Sequence, residues 1–184
     1  MSSLVSVHVP TAAQPPAPRL ALAPRHPLAG PVRLGLVDNG KPRAKELLRA
    51  LAQELGERVD LVAVEVLSKP SAANPITEEE AAALATRVDL VVAGLGDCGA
   101  CTACSVHDAL LMERAGVPST VLVTEVFVST VARFADVLGA PGYHHLAVPH
   151  PVATKSAERL QQLAGEVVDA AVAQLGAAEP ARVR

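Results

Sequence analysis

From Val32 onward, short apolar runs alternate with stretches whose apolar residues recur at helical spacing, and few folds accommodate that alternation. A chain patterned this way reads as repeated strand–helix units around a parallel sheet covered on both faces. The expected strands are VRLGLV (32–37), VDLVAVEVL (59–67), VDLVVAG (88–94), TVLVTEV (120–126) and HLAV (145–148). Between the first two, Ala44, Leu47, Leu48, Leu51, Ala52 and Leu55 share a helical stripe that Gly56 ends, with Pro42 suited to the first turn. Thr77 followed three residues later by Glu80 predicts a capping box and a second helix. A third helix ends near Gly116 and Pro118. A fourth carries Val131, Phe134, Ala135 and Leu138, and the last runs from Leu160 to Leu175 with the cleanest period of all.

Five such units predict an α/β domain: a three-layer, doubly wound, parallel five-stranded sheet of flavodoxin-like type, with the strand order 2-1-3-4-5 expected. Residues 1–31 hold seven of the fifteen prolines, which deny both helix and ladder hydrogen bonds, so they read as an N-terminal arm. The single domain is expected over 32–176, and 177–184 as a flexible tail. At 184 residues the chain can bury a core without disulfides or a structural metal.

Composition narrows the function classes. Two Phe, one Tyr and no Trp leave little surface for stacking bases, and a net charge of -3 with both signs scattered offers no basic face to phosphate. No nucleic-acid role is expected. No stretch approaches the roughly 18 apolar residues that span a bilayer, and no signal core stands at the N-terminus, so the reading is no membrane and a cytoplasmic location. Homo-oligomers remain open.

In doubly wound sheets ligands sit beyond the carboxyl ends of the strands. That rule gathers Asp38, Asn39 and Lys41 after the first strand, Asp97 to Cys104 after the third, Thr124 and Glu125 after the fourth, and His150 between two prolines after the fifth. All three cysteines of the chain, Cys98, Cys101 and Cys104, fall in this set at a spacing of three, with His107 three further on. Cysteines clustered in a reducing compartment point to redox, nucleophilic or metal chemistry rather than a structural disulfide. Cys98 stands where a strand hands over to a helix N-terminus, a place that favours thiolate.

Three uses follow. Cys98 can attack an electrophilic carbon or a disulfide while Cys101 or Cys104 resolves the product, leaving a disulfide that a thiol reductant recycles. Alternatively Cys98, Cys101, Cys104 and His107 hold a transition metal or iron–sulfur cluster, since C-x2-C-x2-C is also an iron–sulfur spacing. CTACS at 101–105 resembles part of the metal claw of nitrile hydratases, with Val106 where that claw has its third cysteine. The third use is plain packing of small apolar side chains. A non-catalytic sulfur or electron carrier would use the same pair without small-molecule turnover. His150 and Glu125 are candidates for proton transfer, and Asp38, Asn39, Lys41, Asp97 and Thr124 for substrate binding, with Lys41 suited to an anion. Asn39 and Gly40 also make an ordinary turn. His144 and His145 receive no role.

DCGACTACSVHDALLMERAGVPSTVLVTEVF followed by VPHPVA resembles the UGSC family of thiol- and selenoproteins, and the related selenocysteine-bearing component B of glycine, sarcosine and betaine reductases. The likeness runs over most of residues 33 to 153. It places Cys98 at the selenocysteine of the Sec-Gly-Ser-Cys motif and Cys101 at its cysteine. The resemblance implies a cysteine-dependent reductase, lyase or transferase acting on a small-molecule carbon that bears a leaving group. It implies a second subunit or thiol reductase as partner. Sulfur in place of selenium is the weaker nucleophile, so neighbours must do more to activate it.

Overall fold

A computed structural model describes residues 18–177. It contains five strands and five helices: β1 (Val32–Asp38), α1 (Ala44–Gly56), β2 (Leu61–Ser68), α2 (Glu78–Ala85), β3 (Leu90–Gly96), α3 (Gly99–Arg114), β4 (Ser119–Thr124), α4 (Val128–Val137), β5 (Leu146–Val148) and α5 (Ala157–Leu175). All pairings are parallel and the strand order is β2-β1-β3-β4-β5, the flavodoxin-like doubly wound arrangement.

Alternation along the strands builds the two outer layers. Leu34, Leu36, Leu90, Val92, Leu122, Leu146 and Val148 face α1 and α5. Val37, Val91, Ala93, Val121 and Val123 face α2, α3 and α4. β3 and β4 are buried along their whole length, which is why their sequences read as unbroken apolar runs rather than alternating ones. Local chemistry sets the helix starts. Thr77 accepts from the Glu80 N–H, and the Glu80 carboxylate accepts from the Thr77 N–H at 2.8 Å, the predicted capping box. Ser156 caps α5 by accepting from Arg159. Pro42 sits in the turn before α1 rather than in its first turn, because the helix enters through Arg43 in a left-handed conformation.

The structure corrects one strand boundary. β4 stops at Thr124, and Glu125–Phe127 form a 3-10 turn instead of extending the strand. Residues 18–31 of the expected arm have no helix or strand and pack against the domain as a strap. Residues 1–17 of the expected arm and 178–184 of the expected tail lie outside the described residues. The Arg25 guanidinium donates to both carboxylate oxygens of Glu113, at 2.8 and 2.6 Å, and the Ala23 N–H donates to the same carboxylate. Ser119 N–H and Tyr143 O–H add two more donors, so a fully buried charge is completely solvated by protein. Leu20 N–H donates to the Gly139 carbonyl. Gly139 has φ +81 and a Cβ there would lie 2.2 Å from the Pro18 carbonyl oxygen, so only glycine lets the strap lie this close. A cavity of about 350 Å³ lies under the strap at the amino edge of the sheet, the end opposite the cysteines.

Arg25→Ala removes the strap's main anchor and strips a buried carboxylate of its counter-charge. It is expected to lower unfolding free energy by about 3 kcal/mol in urea denaturation. Arg25→Lys recovers only part, because a point charge cannot make the paired contact.

Candidate functional site

β3 ends at Gly96, and the next two residues turn the chain into α3. A Cβ at Gly96 would stand 2.7 Å from Val123 Cγ1 and 2.8 Å from Thr102 Oγ1, so glycine allows α3 to start tight against the sheet. Cys98 is the N-cap of α3, with extended backbone (φ -157). Its sulfur accepts from the Cys101 N–H at 3.2 Å, while the Cys101 sulfur accepts from the Cys98 N–H at 2.9 Å and the Asp97 N–H at 3.2 Å. Two cysteines thus occupy the N-cap and N3 positions of a capping box, and the reciprocal geometry brings their sulfurs to 2.8 Å. Thr102 fixes the turn by donating its hydroxyl to the Cys98 carbonyl at 2.6 Å.

The two thiols are held in opposite protonation tendencies. Partial burial pushes the Cys98 thiol up, but hydrogen bonds from the Cys101 side chain and N–H, together with the Lys41 ammonium, more than offset it and leave it below the usual cysteine range. Burial pushes Cys101 up, its hydrogen bond to Cys98 adds to this, and it reaches about 11. Cys98 is half-buried and Cys101 buried, so the more acidic sulfur is also the accessible one.

His150, after β5, closes the other side. Its Nδ1 lies 3.1 Å from Thr124 Oγ1 and 2.9 Å from Asp97 Oδ1, a contact at ion-pair distance without hydrogen-bond alignment. The Phe127 ring meets the imidazole edge-on, with centroids 5.9 Å apart. Thr124 also donates to the Gly96 carbonyl, which ties the ends of β3 and β4. Asp97, Thr124 and His150 therefore form one cluster, and Asp97 is the residue before the nucleophile candidate.

The remaining expected site residues divide. Asn39 is 1% exposed and structural: its amide donates to the Leu95 carbonyl and Ser105 Oγ, and its oxygen accepts from the Lys41 N–H. Asp38 is also taken up by the scaffold, accepting from Gly40 N–H and Ser68 Oγ, with Lys45 at 3.5 Å. Neither is free to bind a substrate. Together they pin the loop that carries Lys41 beside Cys98. Glu125 lies exposed on the 3-10 turn, makes no hydrogen bond to the thiols or His150, and is turned out because β4 ends one residue earlier.

The ligand set expected for a metal is not assembled. Among the described residues no three His, Cys, Asp or Glu side chains are placed to share an ion. Three residues fall about 60° short of a helical turn, so each step from Cys101 to Cys104 to His107 swings the side chain further from the pair. Cys104 is raised by burial and feels Lys69 in opposition, and His107 is lowered by burial with Arg114 and Lys69 adding to it. These residues do not fit a cysteine-ligated metal or cluster.

Sequence reasoning missed Lys69 and Asp108, whose buried pair at 2.5 Å joins the end of β2 to α3. Lys69 directly follows β2, so the rule that selected the other rim residues also applies to it; nothing in the pattern marks Asp108. Phe127 was legible only as one of two phenylalanines.

With the geometry in place, comparison with known proteins places the chain. The model of the UGSC family matches residues 6–177. The chain belongs to the UGSC family. The matched region includes Cys98-Gly99-Ala100-Cys101, the four residues that build the sulfur cap. No curated protein sequence matches the chain. Among solved structures it is similar to a diflavin flavoprotein from Nostoc sp., with 14% identity over 77% of this chain and 90% of that one, at a TM-score of 0.39. It is similar to the flavodoxin-like domain of a Synechococcus sp. protein, with 11% identity over 76% and 97%, at a TM-score of 0.39. It is also similar to a short-chain flavodoxin associated with a bacterial microcompartment, with 15% identity over 77% and 98%, at 0.36. No helix among the described residues is long and apolar enough to cross a membrane.

The opposed thiols predict an ordered pH profile. Alkylation by iodoacetamide, read by mass spectrometry, should rise at Cys98 through a midpoint below 9, while Cys101 stays protected until near pH 11. Cys98→Ser keeps an N-cap acceptor and should unfold within about 1 kcal/mol of the native protein.

Proposed function

We propose that this chain is a thiol-dependent reductase in which Cys98 attacks an activated carbon and Cys101 resolves the adduct. The observation that carries this reading is the sulfur pair itself: an accessible thiol favoured as thiolate, 2.8 Å from a buried thiol held protonated. A nucleophile with a resolving partner needs that asymmetry.

The chemistry balances with two thiols and one proton donor. The Cys98 thiolate displaces a leaving group from a carbon next to a carbonyl; a C–S bond forms and the leaving group departs with the bonding pair. The Cys98 adduct removes the thiolate that accepted from Cys101. Cys101 gives its proton to solvent and attacks the Cys98 sulfur, forming a disulfide and releasing the carbon as an enolate. A proton from His150 quenches it. The carbon gains two electrons and the thiols lose two, which an external dithiol, small or protein-borne, returns. Asp97 and Thr124 hold the Nδ1 side of His150 and leave Nε2 for the proton. The likeness of DCGACTACS to component B of the glycine-type reductases supports the same direction, with a second subunit as the source of substrate or reductant. Small-molecule carbon is the substrate class, and a thiol reductant the only co-reactant the scheme needs.

2-Chloroacetophenone with dithiothreitol tests it. The native protein should release acetophenone and chloride above background. Cys98→Ser should fall to background, and Cys101→Ser should accumulate the phenacyl thioether on Cys98 without releasing acetophenone. Acetophenone release by Cys98→Ser at the native rate would overturn the proposal.

A further inference from the structure

β2 forms one edge of the sheet, and among the described residues it pairs only with β1. Its outer side carries a row of backbone N–H and C=O groups open to a further strand. The flanking helices leave that row approachable. No residue of β2 is buried, and Val62 is 58% and Val64 44% exposed, whereas β3 in the middle of the sheet is buried throughout.

Exposed edges are commonly guarded by a lysine, a proline, a bulge or a very short strand. β2 runs for eight residues with no lysine and no proline, and Glu65 is its one charge. Its register with β1 shifts only beside its first residue, and Ala63–Ser68 pair evenly. The Glu65 carboxylate accepts from Arg87 Nε at 2.7 Å, so that charge already has its counter-ion within the chain. The opposite edge, β5, is three residues long.

The order of residues along β2 points to what covers it. Leu61 to Leu67 reads LVAVEVL, the same in both directions apart from Ala63 and Glu65. An antiparallel copy of the strand, related by a two-fold axis at Val64, sets Val64 against Val64, Val62 against Val66 and Leu61 against Leu67, so each large aliphatic side chain meets another. Glu65 then lies opposite Ala63, and the two carboxylates are not opposed. An axis at Glu65 would oppose them directly, and an axis at Ala63 would set Glu65 against Leu61. Pairing β2 with β2 also closes at two copies, whereas pairing β2 with β5 would leave a free edge at each end and go on adding chains.

We propose that two copies of this chain join through β2, antiparallel about Val64, into one continuous sheet with five strands from each copy. The pairing is independent of the thiol chemistry.

Sedimentation equilibrium of the full chain tests this, with Val64→Lys and Val137→Lys alongside. Val137 is exposed on α4, which connects β4 to β5 at the other end of the sheet, so it controls for an added charge. The native chain should be a dimer at micromolar concentration. Val64→Lys opposes two ammonium groups across the axis and should weaken the dimer roughly tenfold or more, with native far-UV circular dichroism, while Val137→Lys leaves it unchanged. In Val64→Cys, mild oxidation should link the two copies through position 64, located by peptide mapping. A native chain that stays monomeric from micromolar to near-millimolar concentration overturns the proposal, and leaves the edge to residues 1–17 or to another protein. A dimer that Val64→Lys weakens no more than Val137→Lys does, or growth beyond two copies, also overturns it. A dimer without the link at position 64 overturns the two-fold register.

Discussion

Two sulfurs sharing one helix N-terminus are the interaction on which the site depends. An α-helix leaves its first N–H groups without intrahelical partners, and the usual remedy is a side-chain acceptor at the N-cap with a second at N3. Here both acceptors are cysteines. The spacing that satisfies the cap is the spacing C-x-x-C, so one geometry does two things: it starts α3 and sets the sulfurs 2.8 Å apart. Serine or aspartate would cap more strongly. The chain gives up capping strength at the one helix start that carries its thiols, a local rule broken where chemistry is expected.

The rest of the rim elaborates that cap. Glycine at 96 lets α3 approach the sheet, and Thr102 holds the Cys98 carbonyl. Asn39 ties the loop after β1 to the end of β3 and to α3, which brings Lys41 up to Cys98. Thr124 and Asp97 hold the histidine that β5 delivers. They gather from the carboxyl ends of four strands, β1, β3, β4 and β5, so the parallel order of the sheet, and not any local sequence, brings them together. At the other end of α3, Glu113 anchors the proline-rich strap through Arg25, so the same helix carries the thiols at its start and the N-terminal segment at its finish.

What could be read from the sequence follows from the range of the interactions. Strand alternation, the Thr77–Glu80 box and the stripe of α5 are local, and the chain states them outright. Cys98 and Cys101 were legible because their partner interaction spans three residues. The roles of Asp38 and Asn39 were not: both sit where rim residues bind ligands, and only contacts 30 to 66 residues away show them committed to the scaffold. Glu125 was misplaced because β4 ends where its backbone turns, which apolar content does not reveal. The expected metal set failed on helix geometry, since a strict spacing of three drifts around the cylinder. The strap was hidden for a different reason. Proline forbids regular structure but not packing, and its anchor Glu113 lies 88 residues from Arg25.

Disulfide mapping in a glutathione redox titration tests the shared cap most directly. The account predicts a single Cys98–Cys101 disulfide that forms and reopens reversibly, with Cys104 still a free thiol at every potential where that bond is complete. A first disulfide joining Cys104 to either of the other two, or a pair that stays reduced when excess oxidised glutathione is present, would contradict it.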